Sequence, residues 1–185
     1  VASEALQCPT LLRNGYGAHR IEGIGDKHVP WGHNVRNTDM VVAIDDDAVV
    51  AIARLFNEPA GRAYLLRMGI PAETVNQLGL LGFSGIANVL SAIKFAKYYE
   101  LGETDVVLTV LTDSMELYHS RIEEMHAEFG AYTELNAAAD FARHLLGVTT
   151  DNLLELSFVE RRRVHDLKYY TWVEQQGKTV EELDA

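Results

Sequence analysis

Met40-Val41-Val42-Ala43-Ile44 is a continuous apolar run, partly β-branched, and three aspartates follow it without a spacer. An apolar run with no polar alternation suits a strand buried on both faces. Acidic residues directly behind it suit a helix start, where carboxylates accept from free backbone N–H groups and match the dipole. Val49, Val50, Ile52, Ala53 and Phe56 then recur with helical spacing. A buried strand that turns straight into a helix points to parallel strands covered by helices.

The pattern returns once. Val106-Val107-Leu108-Thr109-Val110-Leu111, introduced by Asp105 and followed by Thr112-Asp113-Ser114, reads as the clearest strand in the chain. A helix is expected after Ser114, through Met115, Leu117, Ile122 and Met125. Between the two strands, residues 57–81 carry Pro59, Gly61, Gly69, Pro71 and Gly79 around two short amphipathic pieces, 62–68 and 72–78, a helical excursion. From Ser84, the spacing of Ile86, Val89, Leu90, Ile93 and Ala96 gives a helix ending near Gly102. Residues 1–38 concentrate Pro9, Gly15, Gly17, Gly23, Gly25, Pro30 and Gly32 and read mainly as loop, held by whatever it packs against.

Two strands are too few for a complete doubly wound sheet. Either residues 1–4 are the stub of a third, or the rest of the sheet belongs to another polypeptide. Beyond Gly130 the pattern is helical throughout: Leu135, Ala138, Ala139, Ala142, Leu145 and Leu146 form a stripe, and Ser157/Glu160 and Thr179/Glu182 have capping-box spacing. The expected fold class is α/β, a parallel twisted sheet flanked by helices over residues 1–120, with an all-helical C-terminal extension over 121–185.

Composition narrows the setting. Sixteen Lys and Arg against 27 Asp and Glu leave a net charge of −11, which argues against general nucleic-acid binding because phosphate neutralisation needs surplus cations. Arg161-Arg162-Arg163 is the one candidate basic patch. With 48% hydrophobic and 23% charged residues the chain can bury a sizeable core, so disorder is excluded. No apolar run approaches the roughly 20 residues that span a bilayer, and Val1-Ala2-Ser3-Glu4 lacks the pattern of an export signal. The single Cys8 cannot form an internal disulfide. A cytoplasmic protein is expected, and the Val1 start suggests a processed, truncated or split polypeptide.

Chemistry in an open parallel sheet sits beyond the carboxyl ends of its strands. Thr112-Asp113-Ser114 qualifies, although the same residues also suit an ordinary helix cap. Gly82-Phe83-Ser84-Gly85 qualifies as a turn into a helix, although its glycines also fit close packing with no ligand. Gly23-Ile24-Gly25 allows close backbone approach, a weak signal alone. The seven histidines make no H-x-x-x-H pair and the three aspartates lack further calcium-loop ligands, so no metal site is expected. Neither a G-x-S-x-G elbow nor a phosphate-binding P-loop is present.

Taken in order, these loops resemble the cysteine synthase and cystathionine β-synthase family, the fold-type II pyridoxal-phosphate enzymes. Ile21-Glu22-Gly23-Ile24-Gly25-Asp26-Lys27-His28-Val29-Pro30 is similar to that family's I-x-G-I-G-x-x-x-x-P segment. Residues 1–4 with Cys8-Pro9 resemble the preceding strand and turn, and residues 39–45 resemble the strand before its next helix. Gly82-Phe83-Ser84-Gly85 resembles its G-I-S-S-G turn, and residues 106–114 its terminal strand and D-S turn. The matches span about residues 1–120.

The resemblance implies a pyridoxal 5'-phosphate enzyme in which Ser114 hydrogen-bonds the pyridine nitrogen, with Thr112, Asp113 and Gly82 beside the cofactor and Gly23, Ile24 and Gly25 at the substrate entrance. A neutral hydroxyl keeps the ring a weaker electron sink than a carboxylate does, which suits β-elimination or β-replacement on a small amino acid such as serine, O-activated serine or cysteine. The chain departs from the pattern in several places. The family's Schiff-base Lys and phosphate loop have no match here, so no catalytic Lys is assigned and an N-terminal segment or subunit is expected to supply both. The turn is G-F-S-G, Thr112 replaces a common Pro, and residues 57–80 are longer than their counterpart. Residues 121–185 are expected to serve a dimer contact, an active-site cover or a structural role, in an assembled enzyme that is a homodimer or larger. The alternative is a non-catalytic subunit or regulatory remnant of the same fold.

Overall fold

The computed structural model describes residues 1–184. The chain divides into two compact units that interleave along the sequence. The first comprises Val1–Arg20, Ile24–Asp45 and Asp151–Ala185; the second comprises Ile21–Gly23 and Asp46–Thr150.

The first unit is built on a three-stranded sheet of β1 (Ala2–Ala5), β2 (Met40–Ile44) and β3 (Leu153–Glu155), with β2 in the middle. β1 runs parallel to β2, pairing Ala2 with Val41 and Ala5 with Ile44. All five residues of β2 are buried, as its unbroken apolar sequence requires. β3 runs antiparallel to β2, pairing Met40 with Glu155. Two expectations are corrected by this strand: the sheet is mixed rather than parallel, and the region beyond Gly130 is not all helix. The expected third strand at the N-terminus is β1.

Short helix α1 (Thr10–Arg13) follows β1. Glu4, buried in β1, accepts from the amides of Leu11 at 2.9 Å and Leu12 at 2.8 Å, so a strand carboxylate satisfies donors that no residue of the helix could reach. One core packs Leu11, Leu12, Val29 and Val35 against Val41, Ala43, Leu156 and Val164. Val41 and Ala43 are two apart on β2 and share a face, which is the face this core covers.

The glycine-rich loop has almost no regular structure, yet it is tied down by the distant C-terminal helices. From α8 (Phe158–Lys168), Arg163 Nη2 donates to Leu11 O at 2.6 Å and Lys168 Nζ to His33 O at 2.7 Å. From the π-helical segment Tyr169–Glu174, Trp172 Nε1 donates to Val29 O at 2.6 Å. Ser157 accepts from Glu160 N at 3.3 Å to start α8. The candidate basic patch is largely spent here, because Arg161 meets Asp39 at 2.5 Å and Arg163 meets Glu160 at 2.6 Å.

The second unit is helical. It contains α2 (Asp46–Asn57), α3 (Pro59–Arg67), α4 (Ala72–Gln77), α5 (Phe83–Tyr98), α6 (His119–Phe129) and α7 (Glu134–Asp140), the last continued by a π-helical turn at Phe141–Leu146. The excursion over residues 57–81 therefore forms as two short helices, α3 and α4. At α3 a Cβ on Gly61 would stand 2.2 Å from Leu55 O, so the α2–α3 corner closes only around glycine.

Residues 106–111 are the main correction. They form no paired strand, and Val106, Leu108, Val110 and Leu111 are exposed. Their sequence carries a preference for burial on both faces. Burial also needs paired strands, and no strand pairs with this segment among the described residues.

Candidate functional site

Within the second unit, three separated loops converge at the N-terminus of α5. Gly82 precedes the helix, and its N–H donates to Asp113 O at 3.1 Å, which joins the turn before α5 to the turn after residue 111. A Cβ on Gly82 would lie 2.3 Å from Asp113 Oδ1. The missing side chain is thus explained by a carboxylate standing in its place. Gly23, at φ +84°, closes the third side; a Cβ there would meet Ser84 Cβ at 3.4 Å.

Ser84 is buried and links the two turns. Its Oγ lies 3.1 Å from Thr112 Oγ1 and donates to Asp113 Oδ1 at 3.1 Å. The other carboxylate oxygen of Asp113 accepts from the Tyr118 hydroxyl. Tyr118 also sets its ring edge-to-face on Phe83, with centroids 5.1 Å apart. The hydrogen bond to Asp113 leads the causes that push the Tyr118 phenol up to about 12, with burial and the charges of Asp113 and Glu22 adding to it. Glu22 in turn meets Arg121 at 2.6 Å, and Arg121 meets Glu124 at 2.6 Å.

Ser114 differs from its neighbours. It stands half-buried at the start of the 3-10 turn Met115–Tyr118, where its carbonyl accepts from Leu117 N at 3.2 Å. Its side chain caps nothing, and among the described residues its hydroxyl makes no hydrogen bond. Hydroxyls in such a position often cap the turn they begin; this one has no protein partner and is partly exposed. Asp113 is not available in that sense, since both carboxylate oxygens already accept from hydroxyl groups.

Of the residues expected at the site, Gly23, Gly82, Thr112, Asp113 and Ser114 are all in the second unit, and the contacts above bring the first four together around Ser84, with Ser114 next in the chain. Ile24 and Gly25 belong to the first unit, where Gly25, at φ +99°, faces the imidazole of His19. Sequence reasoning missed Tyr118 and the linking role of Ser84. Ser84 was visible as the hydroxyl of the Gly82-Phe83-Ser84-Gly85 turn; Tyr118 had no signal except a phenol one helical turn beyond Ser114.

A pyridine cofactor would need a donor for its ring nitrogen, and the Ser114 hydroxyl is a donor here with no protein partner. Nothing at this cluster is a cation placed for its phosphate, since Arg121 is committed to two glutamates. Among the described residues no group of three His, Cys, Asp or Glu could hold a metal ion, and no single helix is long and apolar enough to cross a membrane. No protein-family model matches the chain, and no curated protein or solved structure shows significant similarity to it.

Proposed function

We propose that this chain is the C-terminal portion of a pyridoxal-phosphate enzyme that catalyses β-elimination or β-replacement on a small amino acid, in the manner of the cysteine synthase family. The observation that carries this reading is the Ser114 hydroxyl, unbonded in a turn where Thr112, Asp113 and Tyr118 are all committed. Bound pyridoxal phosphate would supply the electron sink for loss of a substituent at the β-carbon.

The chain's own residues set how strong that sink is. With both oxygens of Asp113 taken by Ser84 and Tyr118, the group left to meet a ring nitrogen is a neutral alcohol. An alcohol does not hold the nitrogen protonated as a carboxylate would, which favours elimination over transamination. Gly82 and Gly23 supply close backbone approach, and Ser84 fixes the distance between the two turns. Residues 1–120 then belong to the catalytic fold and 121–185 to an extension that closes or dimerises it. The Schiff-base Lys and the phosphate loop come from an N-terminal segment or subunit.

The test is to isolate the protein from its own source with everything that remains bound and to record its visible absorbance and cofactor content. The proposal expects one pyridoxal phosphate per chain and release of a β-substituent from an activated serine. A colourless assembly that neither contains nor takes up the cofactor would contradict it. That outcome favours a non-catalytic subunit, for which the self-satisfied Ser84–Asp113–Tyr118 network is sufficient as a structural lock.

A further inference from the structure

We infer that residues 106–111 are an interior strand awaiting its neighbours, and that their occupant is a strand-bearing polypeptide other than a second copy of this chain. The segment runs from Asp105 to Ser114 without a helix, turn or bend. All six residues are exposed, with 83% at Val106, 39% at Val107, 92% at Leu108, 67% at Val110 and 51% at Leu111. Val106, Leu108 and Val110, two apart, are barer than Val107 and Leu111, as on one side of an extended segment.

The inner side leans on α5. Leu111 packs at Gly85, where a Cβ would lie 3.5 Å from its Cδ2, and Asn88 Nδ2 donates to Val110 O at 2.8 Å. That side-chain bond is the one hydrogen bond that reaches the main chain of 106–111 among the described residues. Six consecutive residues whose main-chain groups are unpaired except at Val110 O, and which carry five apolar side chains, are exposed to water at a cost in both terms. They satisfy both when strands flank them.

The chemistry of the occupant follows from what is bare. A second copy pairing edge to edge would satisfy one row of backbone groups and leave the other row, and the face bearing Val106, Leu108 and Val110, in water. Two free edges and one free apolar face require a partner that brings strands and a covering layer together, as an α/β polypeptide does. The segment also runs directly into Thr112-Asp113-Ser114. Parallel strands laid beside it would end next to the Ser114 hydroxyl, where an open α/β sheet places its ligand.

This inference rests on unpaired main chain and not on the cofactor reading. Hydrogen exchange tests it, on the full 185-residue chain alone and on material assembled in its own cells. The amides of 107–111 are expected to exchange without protection in the isolated chain and to slow by about 100-fold or more in the assembly. Thr109→Pro removes one amide from a segment that has no backbone bonds to lose, so the isolated variant keeps the wild-type melting temperature while assembly fails. Protection in the dilute isolated chain would overturn the inference, as would exposed amides in the assembly. Protection that arises with dimerisation of the chain alone would overturn it in favour of a second copy, and so would unimpaired assembly of Thr109→Pro. A protected but colourless assembly would keep this surface and remove the cofactor reading.

Discussion

Glu4 carries a carboxylate into the first unit and spends it on the amides of Leu11 and Leu12. Burial raises its pKa to about 7, although both amides and the Arg163 guanidinium pull it down. A carboxyl raised in the folded state binds its proton more tightly there than in the unfolded chain, so its stabilising contribution is complete below pH 4.5 and is lost as pH rises to about 7. The predicted loss is on the order of 3 kcal/mol, and Glu4→Gln should flatten that part of the profile, read as urea midpoints between these two pH values. At the candidate site, Gly82→Ala should disturb Asp113 by direct contact and cost about 1–3 kcal/mol. The same change in an Asp113→Ala background should cost clearly less, because the atom it strikes is gone. Equal costs in the two backgrounds would show that the carboxylate is not what excludes a side chain at residue 82.

Arg54 near the end of α2 and Glu58 at the start of α3 make a buried pair, Nε to Oε1 at 3.2 Å. His126 Nε2 of α6 stands 2.9 Å from the same carboxylate, and Arg54 Nη2 donates to Gly130 O at 2.7 Å while its guanidinium lies over Tyr132. Glu58→Ala leaves that guanidinium buried and uncompensated, so a loss of about 3–5 kcal/mol is expected in urea unfolding. Replacing both partners together, as Arg54→Met with Glu58→Leu, should cost less than the single change. The four-residue spacing of Arg54 and Glu58 is common on exposed helix faces, so nothing in the sequence marks this pair as buried or points to His126, Gly130 and Tyr132. The helices themselves are legible: α2 follows its aspartates and apolar spacing, and α3 and α4 follow their proline and glycine borders. Strand β3 is not. Leu153-Leu154-Glu155 is three residues long with no alternation to mark it, and it is fixed by the β2 edge it pairs with, beyond an Asn152 held at φ 54°.

At the scale of the chain, one strand pattern succeeds and its near twin does not. Residues 40–44 and 106–111 are both largely apolar and partly β-branched, and the first is buried as the centre of a sheet because β1 and β3 pair with it. A sequence states that a segment prefers burial on both faces; it does not state which polypeptide covers it. The site shows the same division. Gly82, Thr112, Asp113 and Ser114 were readable as turn residues, whereas the contact between the two turns depends on residues 28 and 29 positions apart, Ser84 with Thr112 and Asp113.

The measurement that bears most directly on the central claim is a cofactor titration of the natively assembled protein, stripped of its ligand, as wild type and as Ser114→Ala. Loss of one hydrogen bond at the ring nitrogen should weaken pyridoxal phosphate binding roughly 3- to 10-fold and shift its visible absorbance, with the melting temperature of the stripped protein unchanged. Identical binding curves and spectra for the two proteins would contradict the assignment of that hydroxyl to a cofactor.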